Sequence, residues 1–330
     1  MNNSKYRNYI LDGYGIIVMI LALIFSSSLV GLVVFLAFEY FHKDIRYSDA
    51  FSILSYLFSF LPVIAAFDYF VMRRKGKVLN FNMQTRPFHV YLLIFPMMFG
   101  MMLIAEYTTS FIPISGPIFG EWYKMFSEQM ETISEDTFTV FLLVSFFAPI
   151  IEEILFRGII QKGMINNGVK PRNAIIISAL VFGLVHFNPW QFIGAFLLGL
   201  VLGVVYFKTK SLLMPILLHF FNNTIAAIMM KYYYTESFSD LLNIPSYLLL
   251  ILGITIYLLY RSRNLFYFKI LHTTFLKDPI LQIRTFAKIY RRFFSTWVVY
   301  SLPDGLWLFS FGAALLIDRI FYFYNFVVFT

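Results

Sequence analysis

Apolar runs long enough to cross a bilayer recur along the whole of this 330-residue chain. They fall at 14–38, 51–72, 88–106, 137–165, 173–187, 190–207, 211–230 and 241–260, with a ninth at 306–329. A helix needs about 20 apolar residues to span the roughly 30 Å hydrocarbon core. Barrel strands are shorter and alternate in polarity. The expected fold is therefore all-α: a polytopic transmembrane helix bundle with about eight membrane helices and a C-terminal extension. Charged residues make up 13% of the chain, against about 25% in soluble domains, which excludes a soluble globular enzyme and a disordered protein. The chain has no cysteine, so disulfides, thiol nucleophiles and thiolate metal sites are excluded too. The first run exceeds the apolar core of a signal peptide. Glu39, Tyr40 and Phe41 follow it instead of a small-residue cleavage pattern, so it is expected to be a retained membrane helix.

The net charge of +8 follows topology and implies no nucleic-acid partner. Lys5 and Arg7 precede the first run, and Arg73, Arg74, Lys75, Lys77 and Arg86 lie between the second and third. Lys162, Lys170 and Arg172, then Lys208 and Lys210, then Arg261 and Arg263 occupy later alternate connections. All fall on one face if the N-terminus is cytoplasmic, as expected for a multi-pass protein of the cell membrane. The segment 107–136, read as a loop, carries Glu121, Glu128, Glu131, Glu135 and Asp136 on the opposite face. Three regions result: N-terminal helices and acidic loop (1–136), a helix core (137–263) and a basic, aromatic extension (264–330). The extension holds Lys269, Lys277, Arg284, Lys288, Arg291 and Arg292, suited to an anionic leaflet at about 1 kcal/mol per basic residue or to a protein partner. Its apolar run contains Asp318 and Arg319. His42, His89 and His272 read as surface residues of loops. Met97, Met98, Met101 and Met102 read as lipid-facing or core filler, and Gly199 and Gly203 as a small-residue packing pair.

An ionisable residue at the centre of a membrane helix costs about 2.5–3.5 kcal/mol on insertion scales, so it marks a site or a buried pair. Three runs carry a cluster: Glu152, Glu153 and Arg157 in the fourth, Phe182 and His186 in the fifth, His219 and Asn223 in the seventh. Glu153 and Arg157 are four residues apart, so they can pair on one helix face. Glu152 then points elsewhere. His219 and Asn223 share a face for the same reason, and Phe182 walls the pocket one turn from His186. At 1.5 Å per residue, Glu152, His186, His219 and Asn223 lie about 16–22 Å from the inner ends of their helices, which places them at one level. Asn222 and Ser178 read as helix-packing residues.

Glu-Glu-x-x-x-Arg, Phe-x-x-x-His and His-x-x-x-Asn, in this order on successive apolar helices, resemble the motifs of the CPBP/Abi intramembrane proteases, which include the type II CAAX prenyl endopeptidases. The resemblance covers about 137–230. It implies that Glu152 and His186 activate a water and that His219 and Asn223 form the oxyanion hole. It assigns Glu153 and Arg157 to structure or to setting the charge of Glu152.

The residue types suit that chemistry independently. Peptide hydrolysis needs a nucleophile, a proton carrier and donors for the developing oxyanion. No serine in the motifs is placed against a histidine, and the core helices hold no aspartate pair. No cofactor is expected. Zinc on Glu152, His186 and His219 is the competing arrangement. The expected function is an intramembrane endopeptidase cutting near the end of a membrane-associated substrate, prenylated or a peptide precursor. A non-catalytic scaffold for a partner enzyme or peptide is the alternative. A proton-coupled transporter would call for inverted repeats, and no repeat is evident.

Overall fold

The computed structural model describes residues 9–41, 49–73, 79–135, 141–233, 235 and 237–257. The chain divides into two compact units, Met1–Asn264 and Leu265–Thr330. The second lies outside the described residues, and with it the basic extension, its apolar run and His272; so do Lys5, Arg7, His42, Arg74, Lys75, Lys77, Arg261 and Arg263.

The described residues are helical and contain no strand. In chain order they are α1 (Gly13–Phe41), α2 (Asp49–Phe67, continued by a wide π turn Asp68–Met72), α3 (Phe88–Thr109) and α4 (Phe119–Glu135). Then come α5 (141–166), α6 (Pro171–Leu184), α7 (Pro189–Thr209), α8 (Leu213–Tyr233), α9 (Phe238–Leu242) and α10 (Ser246–Tyr257). Five are long and apolar enough to cross a membrane: Gly13–Tyr40, Ile53–Met72, Phe88–Thr109, Pro189–Thr209 and Leu213–Tyr233. The other three expected spans correspond to α5, α6 and α10. The 14 residues of α6 reach only about 21 Å at helical rise, short of a bilayer core.

Three sequence expectations change in detail. The stretch expected as an acidic loop contains α4, whose Phe119, Tyr123 and Phe126 rings gather around Trp190 at centroid distances of 6.3, 5.2 and 5.9 Å. The expected helix at 241–260 is divided, because Asn243 adopts φ 51° and Pro245 cannot continue the α9 ladder. The fourth expected helix is not uniformly α-helical. π-Helical turns at Leu142–Phe147 and Ile154–Gln161 flank an α-helical Ala148–Glu153, so the simple 1.5 Å rise does not hold along it. Pro149 explains the first: it offers no N–H to the Ser145 carbonyl and its ring crowds that oxygen.

Two buried clusters hold the unit together. Tyr9 and Leu11 join Ile16, Met19 and Leu23 of α1 and Val63 and Phe67 of α2 against Leu155, Phe156, Ile159 and Ile160 of α5. Ile94, Met97, Met98 and Met101 of α3 meet Val201, Leu202 and Val205 of α7 and Met214 and Leu218 of α8. The α3 methionines, Met102 included, are thus core, where their flexible side chains fill irregular gaps. Much of α1 instead exposes apolar side chains such as Ile17, Leu21, Phe25 and Phe35, a surface suited to lipid.

Polar contacts mark the two ends of the bundle. At one end an extended segment, 79–87, is stitched to the α7–α8 turn. Leu212 N–H donates to Asn82 O at 2.7 Å, Ser211 Oγ to Gln84 O at 2.6 Å, and Arg86 to Thr209 O. Lys162 Nζ donates to Asn80 O at 3.3 Å, so Arg86, Lys162 and Lys210 share this end. At the other end the Glu106 carboxylate accepts from Ser237 Oγ and from the Phe238 and Ser239 N–H groups at 2.8–2.9 Å, capping α9.

Candidate active site

The site is assembled from four helices. α5 supplies Glu152, Glu153 and Arg157, α6 supplies Phe182, α8 supplies His219 and Asn223, and α2 supplies Tyr56, which motif spacing did not single out. Glu153 and Arg157 are fully buried and pair at 2.6 Å. The pair is not isolated, since the same Glu153 Oε1 lies 3.0 Å from His219 Nδ1. A carboxylate only accepts, so Nδ1 carries the proton in that contact. The other ring nitrogen, Nε2, then faces Glu152, whose Oε2 is 3.7 Å away. His219 therefore stands between the two adjacent glutamates.

Glu152 is 8% exposed. Its Oε1 accepts from Tyr56 Oη at 2.5 Å. Tyr56 is held by Phe60, one turn along α2, with ring centroids 4.9 Å apart. Nothing in the spacing of this apolar run distinguishes Tyr56 from its neighbours; the partner that singles it out is 96 residues away.

Arg157 is fixed on three sides. Besides Glu153, its Nη2 donates to the Gly199 carbonyl at 3.1 Å, and its guanidinium lies 4.6 Å from the Phe182 ring centroid. One turn on, Gln161 Nε2 donates to the Gly203 carbonyl at 2.9 Å. Gln161 stands outside the three motifs, although a polar residue four positions from Arg157 in an apolar helix is a readable signal. These contacts explain the two glycines. A Cβ on Gly199 would sit 3.2 Å from Arg157 Nη2 and Phe182 Cδ1, and one on Gly203 would sit 2.8 Å from Gln161 Oε1. Side chains at either position would separate α7 from α5. Buried Glu153 Oε2 and Arg157 Nε have no hydrogen-bond partner among the described residues.

Phe182 meets both candidate histidines edge-on, at 5.2 Å from the His186 ring and 5.6 Å from the His219 ring. His186 lies just beyond the end of α6 rather than within it. Its N–H donates to Gly183 O at 3.2 Å, and its ring Nδ1 is 2.8 Å from Phe182 O. The tight α6–α7 connection fixes this turn. Phe187 takes φ 55°, and Asn188 caps α7 by accepting from Gln191 N–H at 2.8 Å, a preferred N-cap role. Asn223 Nδ2 donates to Val144 O at 2.8 Å, in the π turn of α5, and Asn222 Nδ2 donates to Asn223 Oδ1 at 2.9 Å. Each amide nitrogen has two protons, so Asn223 retains one donor. Ser178 Oγ donates to Phe156 O at 2.8 Å, tying α6 to α5.

Thus Glu152, Glu153, Arg157, Phe182 and His219 form one contiguous cluster, His186 touches it through Phe182, and Asn223 is one turn from His219. Among the described residues no three His, Asp or Glu side chains are grouped to hold a metal ion. The alternative zinc set of Glu152, His186 and His219 is not gathered here.

Apolar helices enclosing an acid–histidine cluster define an integral membrane protein with a buried polar site. Residues 134–225 are similar to the family described as type II CAAX prenyl endopeptidase Rce1-like. The chain is 33% identical over 92 residues to the membrane-embedded CAAX protease MroQ of Staphylococcus aureus strain USA300, covering 26% of this chain and 36% of that protein. It is 33% identical over 88 residues to the putative membrane peptidase YdiL of Bacillus subtilis strain 168, covering 27% of this chain and 36% of that one. The alignments therefore span about a third of each relative. No solved structure matches the chain significantly.

Proposed function

We propose that the protein is an intramembrane endopeptidase that hydrolyses a peptide bond near the end of a membrane-associated substrate. The observation that carries this is His219 held between Glu153 and Glu152 in a site enclosed by apolar helices. The Rce1-like domain and the peptidase names of the relatives support it.

In the proposed reaction Glu152 takes a proton from water as its oxygen attacks the scissile carbonyl carbon. The developing oxyanion accepts hydrogen bonds from His219 Nε2–H and the second Asn223 N–H. With a proton on both ring nitrogens, His219 donates from Nδ1 to Glu153 at 3.0 Å and from Nε2 to the oxyanion. Low dielectric strengthens such donors. As the tetrahedral intermediate collapses, the C–N bond breaks and the proton on Glu152 passes to the leaving amine, with His186 as its carrier. Arg157 offsets the charge of Glu153 and leaves Glu152 as the working carboxylate. No step requires a metal.

The protein is proposed to lie in the cell membrane with the end bearing Arg86, Lys162 and Lys210 in the cytoplasm. Substrates are proposed to be prenylated ends or peptide precursors that present an apolar anchor to the bilayer. The test is incubation of the purified full-length protein with prenylated and unprenylated membrane peptides, followed by mass spectrometry with and without chelator. Cleavage that survives the chelator is expected. Cleavage abolished by chelator and restored by zinc would replace the metal-free scheme, and no cleavage of any membrane peptide would count against the peptidase assignment.

A further inference from the structure

We propose that Tyr56 is a positioning residue of the site, which makes α2 its fourth wall. The Tyr56 hydroxyl donates to Glu152 Oε1 at 2.5 Å. The other carboxylate oxygen, Oε2, is the one turned to His219 Nε2 at 3.7 Å. The two oxygens of Glu152 are thus distinguished: one is held by a phenol and the other is left to exchange a proton. Tyr56 acts through Glu152 and needs no contact with substrate.

Several features support more than chance contact. Glu152 is almost enclosed, and its surroundings hold few donors. Glu153 is committed to Arg157 and His219, and His186 is anchored to the Phe182 carbonyl. Tyr56 is the one hydrogen-bond donor shown within normal bonding distance of Glu152 among the described residues. Tyr56 comes from outside the 134–225 domain, so it joins the N-terminal helices to the chemistry of that domain. The ring is packed on Phe60, which fixes its direction without using the hydroxyl.

A hydrogen bond to a carboxylate is short and directional. Tyr56 therefore fixes the direction of the Glu152 carboxylate and leaves Oε2 turned to His219. The groups facing Glu152 are Tyr56 from α2, His219 from α8, and the neighbouring Glu153–Arg157 pair of α5. Replacing the hydroxyl leaves the last three in place.

The test is difference infrared spectroscopy of the full-length protein at one fixed pH, comparing wild type, Tyr56→Phe and Glu152→Gln. The carboxyl band missing in Glu152→Gln belongs to Glu152. In Tyr56→Phe that band is expected at a shifted frequency, because a hydrogen bond to one oxygen changes the two C–O bonds unequally, with thermal unfolding unchanged because the ring remains. An identical frequency in wild type and Tyr56→Phe overturns the assignment. The experiment needs no substrate, so it stands apart from the peptidase assignment on which the role of Glu152 rests. With a cleavable peptide, kcat should fall while KM is kept, whereas a merely structural tyrosine would lower the unfolding temperature.

Discussion

Glu153 and His219, 66 residues apart, are joined by a 3.0 Å contact between Oε1 and Nδ1. This makes the second glutamate of the Glu-Glu pair part of the site rather than only the partner of Arg157. It also fixes which nitrogen of His219 is free to act, because the one facing Glu153 must donate.

Glu153→Gln should therefore have two separable effects. It leaves Arg157 buried without a counter-charge, which costs about 3–5 kcal/mol when one member of a buried pair is removed. It also releases His219. Changing both residues, Glu153→Gln with Arg157→Met, should restore most of the stability but not the activity. Thermal unfolding in detergent and peptide cleavage on the same preparations check both statements. Full activity in the double variant would show that Glu153 matters only to folding.

Gly199 and Gly194 lie on the same helix and should respond oppositely to a side chain. A Cβ at Gly199 would press on Arg157, Phe182 and Ala179 at 3.2 Å, whereas nothing lies within 4 Å of one at Gly194. Gly199→Val should destabilise by about 1–3 kcal/mol, as overpacking does. Gly194→Ala should be neutral or stabilising by up to about 1 kcal/mol, because alanine favours helix over glycine. Unfolding midpoints of the two variants give the comparison directly.

Asn188 secures the turn that carries His186. Asn188→Ala should cost about 1 kcal/mol, the usual loss for an N-cap, and should lower activity by loosening that turn. Asn188→Asp keeps the accepting oxygen and should retain most of the stability. Equal losses in both variants would show that the cap is not what matters.

The site was legible where polarity contrasted with its surroundings. Glu152, Glu153, Arg157, His186, His219 and Asn223 stand out because ionisable and amide groups are costly within apolar runs. Tyr56 was not legible, being one of 22 tyrosines whose apolar rings are at home in such runs. Its contact with Glu152 arises only from a partner on another helix. The spacing of Phe119, Tyr123 and Phe126 did carry a helical period, but the acidic residues of the stretch, Glu121, Glu128, Glu131 and Glu135, suggested a loop. Asn243 and Pro245 were likewise readable as a helix stop. The π turns of α5 depend on how the chain relaxes around Pro149 and on packing, which residue spacing alone does not specify.

The most direct measurement is the cleavage rate of one membrane peptide by wild type and by Glu152→Gln, prepared side by side and shown to unfold at the same temperature. General acid–base groups contribute about 10²–10⁴-fold, so Glu152→Gln should lose at least about 100-fold in kcat. Equal rates in the two proteins would contradict the assignment of Glu152 as the group that activates water.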